Sequence, residues 1–350
     1  MTWKILWALA LAASAPATDG ETAGLLYRLD RAEALKSTDT DWDYIKLQPG
    51  TSRLFIARRK DGLSVYDVNS GRLIGQVANS AGANGPLLLP QFDRGYVAMT
   101  DGSLLSFRLS DLHVLSRTTL ASDGGLNGVV YDPATKRIHA VVGARLAESA
   151  WFTLDAASGK LFGKHVFPFK KMDDPAPDGR GHLFAPARYD NLILKLASAT
   201  LQEQARWKVG CTQVVAVEYQ ASTNRLLVGC RGDSPVFLAL DPETGREVGR
   251  VPIGKGIDGM AVDEERHRIV TSNGADATLT VISQDGPDRY RLLGNVQTRP
   301  QARVLQIDEK TGRLFTVTAD ATFPAPDSEG AAPAPHYHPD SFTVLTYSPM

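Results

Sequence analysis

A unit of about 43 residues recurs along nearly the whole chain, and no other feature of the sequence restricts its fold as strongly. Each copy has a turn rich in Pro, Asp, Gly, Thr or Asn, then an Arg-Leu or Arg-Ile step that opens a short apolar strand. The segment reads Pro49-Gly50-Thr51-Ser52-Arg53-Leu54-Phe55 in one copy and Asp132-Pro133-Ala134-Thr135-Lys136-Arg137-Ile138 in another. It returns as Ala221-Ser222-Thr223-Asn224-Arg225-Leu226-Leu227, as Glu264-Glu265-Arg266-His267-Arg268-Ile269, and as Asp308-Glu309-Lys310-Thr311-Gly312-Arg313-Leu314-Phe315. Degenerate copies at residues 93–97 and 178–184 bring the number to seven.

A third strand repeats in step, at residues 63–67, 104–109, 151–155, 192–196, 236–241, 279–282 and 342–347. In three copies its Asp is followed four residues later by Gly: Asp67 and Gly71, Asp155 and Gly159, Asp241 and Gly245. The carboxylate can accept backbone N–H bonds within a turn, and Gly takes positive φ without a steric penalty. Four short strands per unit at this period predict an all-β, seven-bladed β-propeller of four-stranded blades. Leu25 to Leu35 reads as a fourth strand and Phe342 to Tyr347 as a third. The two ends of the chain are therefore expected to share one blade and close the ring, hiding sheet edges. An α/β fold is excluded, because no 3.6-residue apolar period runs between the strands.

Charge and length bound the function. The 350 residues carry 38 Lys+Arg against 39 Asp+Glu, a net charge of −1, which disfavours a dedicated nucleic-acid binder. The hydrophobic fraction of 43% supplies enough apolar surface to order the backbone. Met1 to Lys4 form a basic start, Ile5 to Ala13 an apolar run, and Ala15-Pro16-Ala17 a small-residue cleavage site. This layout predicts a signal peptide at 1–17 and a single mature domain at 18–350, with no membrane insertion and a periplasmic or secreted location. In such a compartment the two cysteines, Cys211 and Cys230, are expected to form a disulfide. The mature protein is read as a monomer.

The sequence resembles the YVTN-repeat propellers, specifically the YncE-like exported proteins of bacteria. The resemblance rests on Trp42-Asp43-Tyr44, on Ile253-Gly254-Lys255-Gly256-Ile257-Asp258, on Ser272-Asn273-Gly274 and on Asp308 to Phe315. The hairpin Asp241-Pro242-Glu243-Thr244-Gly245 adds to it, and the match spans residues 25 to 350. It implies the propeller fold and a ligand- or partner-binding role, and says little about chemistry.

In a propeller the innermost strands line a central channel, and their starting residues gather at one mouth. Aligning the copies puts Asp43, Asn84, Asn127, Asp174, Gln213, Asp258 and Arg303 there. A polar ring of this kind can orient a small ligand or hold a cation by oxygen ligands, with Asp43 and Asp258 as the candidate anionic ligands; it can equally line a water-filled channel. Loops on the same face add Arg58, Arg59, Lys60, Arg145, Arg188 and Arg231, which suit carboxylates or phosphates. The other reading of these loops is ordinary solvated charge balanced by Asp190 and Asp233. An Ala- and Pro-rich insertion at residues 322–340 carries His336, His338 and Asp340, a second candidate metal set.

No Gly-x-Ser-x-Gly elbow, Cys-His pair or phosphate loop is present, so no catalytic residue is assigned. The first functional reading is a binding scaffold for a small anionic ligand or a protein partner, using the channel mouth and the Arg-bearing loops. The alternative is a metal-dependent lactonase or related hydrolase, with Asp43, Asn127, Asp174 and Asp258 around a divalent cation.

Overall fold

Short strands joined by tight turns pair first with their sequence neighbours. In the computed structural model, which describes residues 26–324 and 334–350, this gives seven four-stranded antiparallel sheets. Blade one consists of Trp42–Leu47, Arg53–Arg58, Gly62–Asp67 and Arg72–Gln76, from the inside outward. Blades two to six follow at residues 83–119, 126–167, 176–208, 214–252 and 257–297. Blade seven takes Leu305–Asp308, Arg313–Thr318 and Thr343–Pro349, and its outermost strand is Tyr27–Ala34. Tyr27 pairs with Pro349 and Ala34 with Thr343, so the chain ends close the ring in one blade. The expected fold is the one found. Among the described residues no helix is long and apolar enough to cross a membrane. The segment read as a signal peptide lies outside the described residues, as does part of the insertion.

Each sheet is covered on both faces by its neighbours, which is why the middle strands read as unbroken apolar runs. Leu54 to Ala57 are all fully buried. Phe55 and Val65 of blade one pack with Val97 and Phe107 of blade two. Trp151 and Phe167 of blade three pack with Leu183 and Leu194 of blade four. Trp42 of blade one joins Phe315 and Phe342 across the closure. Blade four departs from the pattern, as its degenerate repeat implies. Its inner strand is only Ala176–Pro177, since Pro175 and Pro177 have no N–H to give a ladder.

The turn chemistry holds. Asp67 accepts from the Ser70 N–H at 2.6 Å and Gly71 has φ +76°. Asp241 accepts from the Thr244 N–H at 2.9 Å and Gly245 has φ +68°. The repeated Arg has a role that sequence did not reveal: it ties one blade to the outer turn of the next. Arg53 donates to the Leu109 carbonyl at 2.7 Å, Arg137 to that of Ala199 at 2.8 Å and Arg268 to that of Leu26 at 3.3 Å. Arg225 pairs with Asp288 at 2.7 Å, and Arg313 reaches Asn69 at 3.1 Å. Cys211 and Cys230 stand at disulfide distance in blade five, with Cα atoms 6.1 Å apart.

Candidate functional site

One extra residue enters the inner strand of most blades near its start. The pairing skips between Ala83 and Gly85, Leu126 and Gly128, Val214 and Ala216, and Ile257 and Gly259, and again between Trp42 and Ile45. Such bulges re-aim side chains. They leave Asn84, Asn127 and Asp258 unpaired at the ring, with Asp43 and Tyr44 in blade one. The following Gly has a packing cause. A Cβ on Gly85 would lie 2.7 Å from the Gly128 Cα, and one on Gly259 would lie 2.7 Å from the Leu305 nitrogen. A Cβ on Gly128 would run into the Asp174 carboxylate.

The side chains so gathered form a network of ion pairs and hydrogen bonds. Arg59 reaches Asp41 at 2.5 Å, Asp43 at 2.9 Å and Asn84 at 2.9 Å. Asn84 donates to the Asn127 carbonyl at 2.7 Å. The Asn127 amide donates to Asp174 and to the Tyr44 hydroxyl, each at 3.2 Å, while its own oxygen accepts from Lys171 at 2.7 Å. Tyr44 of blade one thus reaches past blade two to blade three. Arg188 forks onto buried Asp173, both bonds at 2.7 Å. Arg231 pairs with Asp258, which also faces Arg303 at 3.5 Å. Arg303 lies over the Trp42 ring, 4.9 Å from its centroid, and donates to the Trp42 carbonyl at 2.5 Å.

Burial and mutual repulsion set the protonation of this ring. Burial pushes Asp43 upward, helped by Asp258 across the ring and opposed by Arg303 and Arg59. Burial raises Asp174 to about 6, although the Asn127 hydrogen bond pulls it down. Tyr44 is held neutral, well above its usual range, by burial and by Asp174 and Asp43. Burial works against the charge on Arg303, but Asp43 and Asp258 outweigh it and hold the guanidinium protonated.

Behind the ring lies a cavity of about 400 Å³ to which all seven inner strands contribute. It extends from the level of Tyr44, Asp174 and Asp258 to that of Tyr131, Tyr219 and Gln306. Lys46 and Glu218 line it. Burial lifts Glu218 to about 7, with Lys46 acting to lower it.

The residues singled out from sequence divide into two groups. Asp43, Asn84, Asn127, Asp174, Asp258, Arg303, Arg59, Arg188 and Arg231 meet in the ring. Gln213 does not reach it: Val215 holds the bulge position of blade five, and Gln213 is exposed two residues earlier with φ +56°. Arg58 is buried between blades, bonded to Ser64 and the Lys36 carbonyl, paired with Asp61 at 3.2 Å, and stacked on Phe342. Lys60 turns outward to Asp39, and Arg145, its side chain largely covered, pairs with exposed Asp123. For Arg188 and Arg231 the balancing acids are Asp173 and Asp258, in place of Asp190 and Asp233.

Asp43 and Asp258 are each committed to arginines, and among the described residues no three His, Cys, Asp or Glu converge as ligands. At the described ends of the insertion Ala321–Thr322 pairs with His336–Tyr337. There His338 Nε2 contacts the Thr322 hydroxyl at 2.8 Å, and Asp340 turns to accept from the Ser37 N–H at 3.0 Å. Tyr337 packs on Trp42 at 5.0 Å, which seats this strand pair beside the mouth. Sequence reasoning passed over Tyr44, Lys46, Lys171, Asp173 and Glu218. A usable signal was present in the recurrent polar-then-Gly pairs Asn84-Gly85, Asn127-Gly128 and Asp258-Gly259, which mark the bulges.

No family model matches the chain, and no curated protein matches it in sequence. Among solved structures it is similar to a chain in a crystal structure of the mitotic checkpoint complex, at 12% identity and a TM-score of 0.72 over 99% of both chains. It is also similar to a chain of Kuenenia stuttgartiensis hydrazine synthase, at 13% identity and a TM-score of 0.67, covering 79% of this chain and 92% of that one. At these identities the likeness concerns the propeller fold alone.

Proposed function

We propose that this protein is an exported propeller of the YVTN-repeat, YncE-like type that binds a small charged ligand in its central channel. The observation that carries the reading is the 400 Å³ cavity shared by all seven inner strands, within the roughly 300–1,000 Å³ range of small-molecule sites. Charged groups stand at its end and inside it, so a ligand entering there exchanges water for oriented ionic partners. Export is supported by the basic-apolar-small order of the first 17 residues and by the cysteine pair at disulfide distance. Anion recognition is supported by Arg303, whose contact to Asp258 is loose enough at 3.5 Å to be shared with an incoming acid, and by Lys46 deeper in the channel.

Thermal-shift screening of the mature protein against a library of small metabolites tests the reading. A hit with an acidic group should weaken several-fold between 50 and 500 mM salt, as roughly a threefold shorter Debye length demands. It should also weaken in Arg303→Gln. Hits that ignore both salt and Arg303 would place the site elsewhere on the surface.

A further inference from the structure

Charge is handled differently inside the channel than at its mouth. In the ring, Asp43, Asp173 and Asp258 each touch a cationic side chain. Lys46 of blade one and Glu218 of blade five line one cavity, yet neither has a hydrogen-bond or ion-pair partner among the described residues. They are near enough for Lys46 to act on the proton affinity of both Glu218 and Asp174. A half-buried ammonium and carboxyl that share a space without touching are each left with water alone as a partner, an arrangement that a ligand of matching charge improves.

The chemistry of that ligand follows from the pair. A simple anion would satisfy Lys46 and leave Glu218 facing a like charge. A simple amine would do the reverse, and a neutral sugar would offer neither group an ionic partner. A molecule carrying both charges at once satisfies both. Leu87, Val130 and Met260 add apolar surface to the same cavity, and Gln306 adds a neutral amide.

We propose that the channel receives a small zwitterion of the amino-acid class, its carboxylate on Lys46 and its ammonium on Glu218. The proposal rests on the channel-binding reading and goes further by naming the ligand class and the two residues that select it.

The test uses the mature protein in isothermal titration calorimetry with the free α-amino acids, their N-acetyl derivatives and their methyl esters. At least one free amino acid should bind, and each derivative should bind at least tenfold more weakly, because one charged contact is removed. Lys46→Met should erase the preference for the acid over its ester, and Glu218→Gln the preference for the amine over its N-acetyl form. Circular dichroism of both variants checks that they fold. Should derivatives bind as well as their parents, or should the variants keep both preferences, the assignment is wrong. Binding of only dicarboxylates, diamines or sugars, lost when the cavity is filled by Val130→Trp in a variant that keeps the wild-type circular dichroism, would overturn the zwitterion while leaving a channel receptor in place. No small-molecule binding of any class would remove both.

Discussion

The frame of the ring and the channel through its middle are built from the same seven repeats and obey opposite rules. In the frame the same residue does the same thing from blade to blade: an Asp caps the outer turn, an Arg ties to the next blade, and apolar side chains fill the seam. In the channel and its ring no single contribution is repeated all the way round. Blade one gives Asp43, Tyr44 and Lys46, blade three Asn127, blade four Asp174, blade five Glu218 and blade seven Arg303. Repetition therefore specifies the fold, and departure from repetition marks the part proposed to meet a ligand. Substitutions in the frame should change stability and spare binding, and substitutions in the channel should change binding and move stability less.

The seam of blades three and four gives the largest effect. Trp151 is fully buried against Phe167, at 4.9 Å between ring centroids, and its indole N–H has no partner to orphan. Trp151→Ala should therefore lose packing alone, about 3–5 kcal/mol, measured by urea unfolding. Ligand affinity of the folded fraction should be unchanged. A loss of affinity at full folding would mean that seam and channel are mechanically coupled.

The cysteine pair comes next. It sits in blade five, whose bulge position is the apolar Val215 and whose contribution to the ring is Arg231, the residue after Cys230. A crosslink over a sequence separation of 19 should stabilise by roughly 3 kcal/mol in the chain-entropy account. Free-thiol titration of the native protein should find none, and reduction should lower the unfolding midpoint of the wild type and not of the Cys211→Ser, Cys230→Ser double variant.

His139 is a polar group in the frame, and acid should reveal it. It is fully buried in blade three with Thr153 at 3.1 Å, and burial lowers it from 6.5 to about 4, with Asp132 pulling the other way. Because the folded form is neutral, the unfolded chain takes up the proton first as pH falls below 6.5. On the order of 3 kcal/mol is then lost between pH 6.5 and 4. His139→Asn keeps a nitrogen near the position of Nδ1 and should flatten that part of the stability-pH curve.

The contrast also explains what could be read in advance. The strand order, the seven units and the shared closing blade follow from turn residues and period-2 runs, which are local and repeat seven times. The bulges are also local and keep one spacing: Asp43, Asn84, Asn127, Asp258 and Arg303 each stand ten residues before the Arg that opens the next strand. In blade five that spacing selects the apolar Val215, whereas only its polarity commends Gln213. The role of Arg58 is decided by blade seven, more than 280 positions along the chain at Phe342, and no local pattern carries that information. Lys46 and Glu218 are brought together only by ring closure. In the sequence each is a single charge in a strand.

The smallest effect is the one that separates channel from frame most cleanly. Burial raises Glu218 to about 7, so the folded protein holds its proton more tightly than the unfolded chain does. Ionisation therefore subtracts stability as pH rises from the ordinary Glu range, near 4.5, through about 7, the reverse of the His139 slope. Glu218→Gln removes that cost. The variant should match the wild type at pH 4 and exceed it at pH 8, by about 1 kcal/mol once screening by channel water is allowed for. Lys46 opposes the shift, so Lys46→Met should move the loss to higher pH and make it larger. A frame carboxylate such as Asp67, held below its usual range by Ser52 and the turn N–H groups, should show the opposite sign. In Asp67→Asn the stability lost is the part the wild type gains as pH rises above the acid range. Finding the same sign for Glu218 and Asp67 would mean that the channel carboxyl is tied into the structure like a turn cap and is not free to meet a ligand.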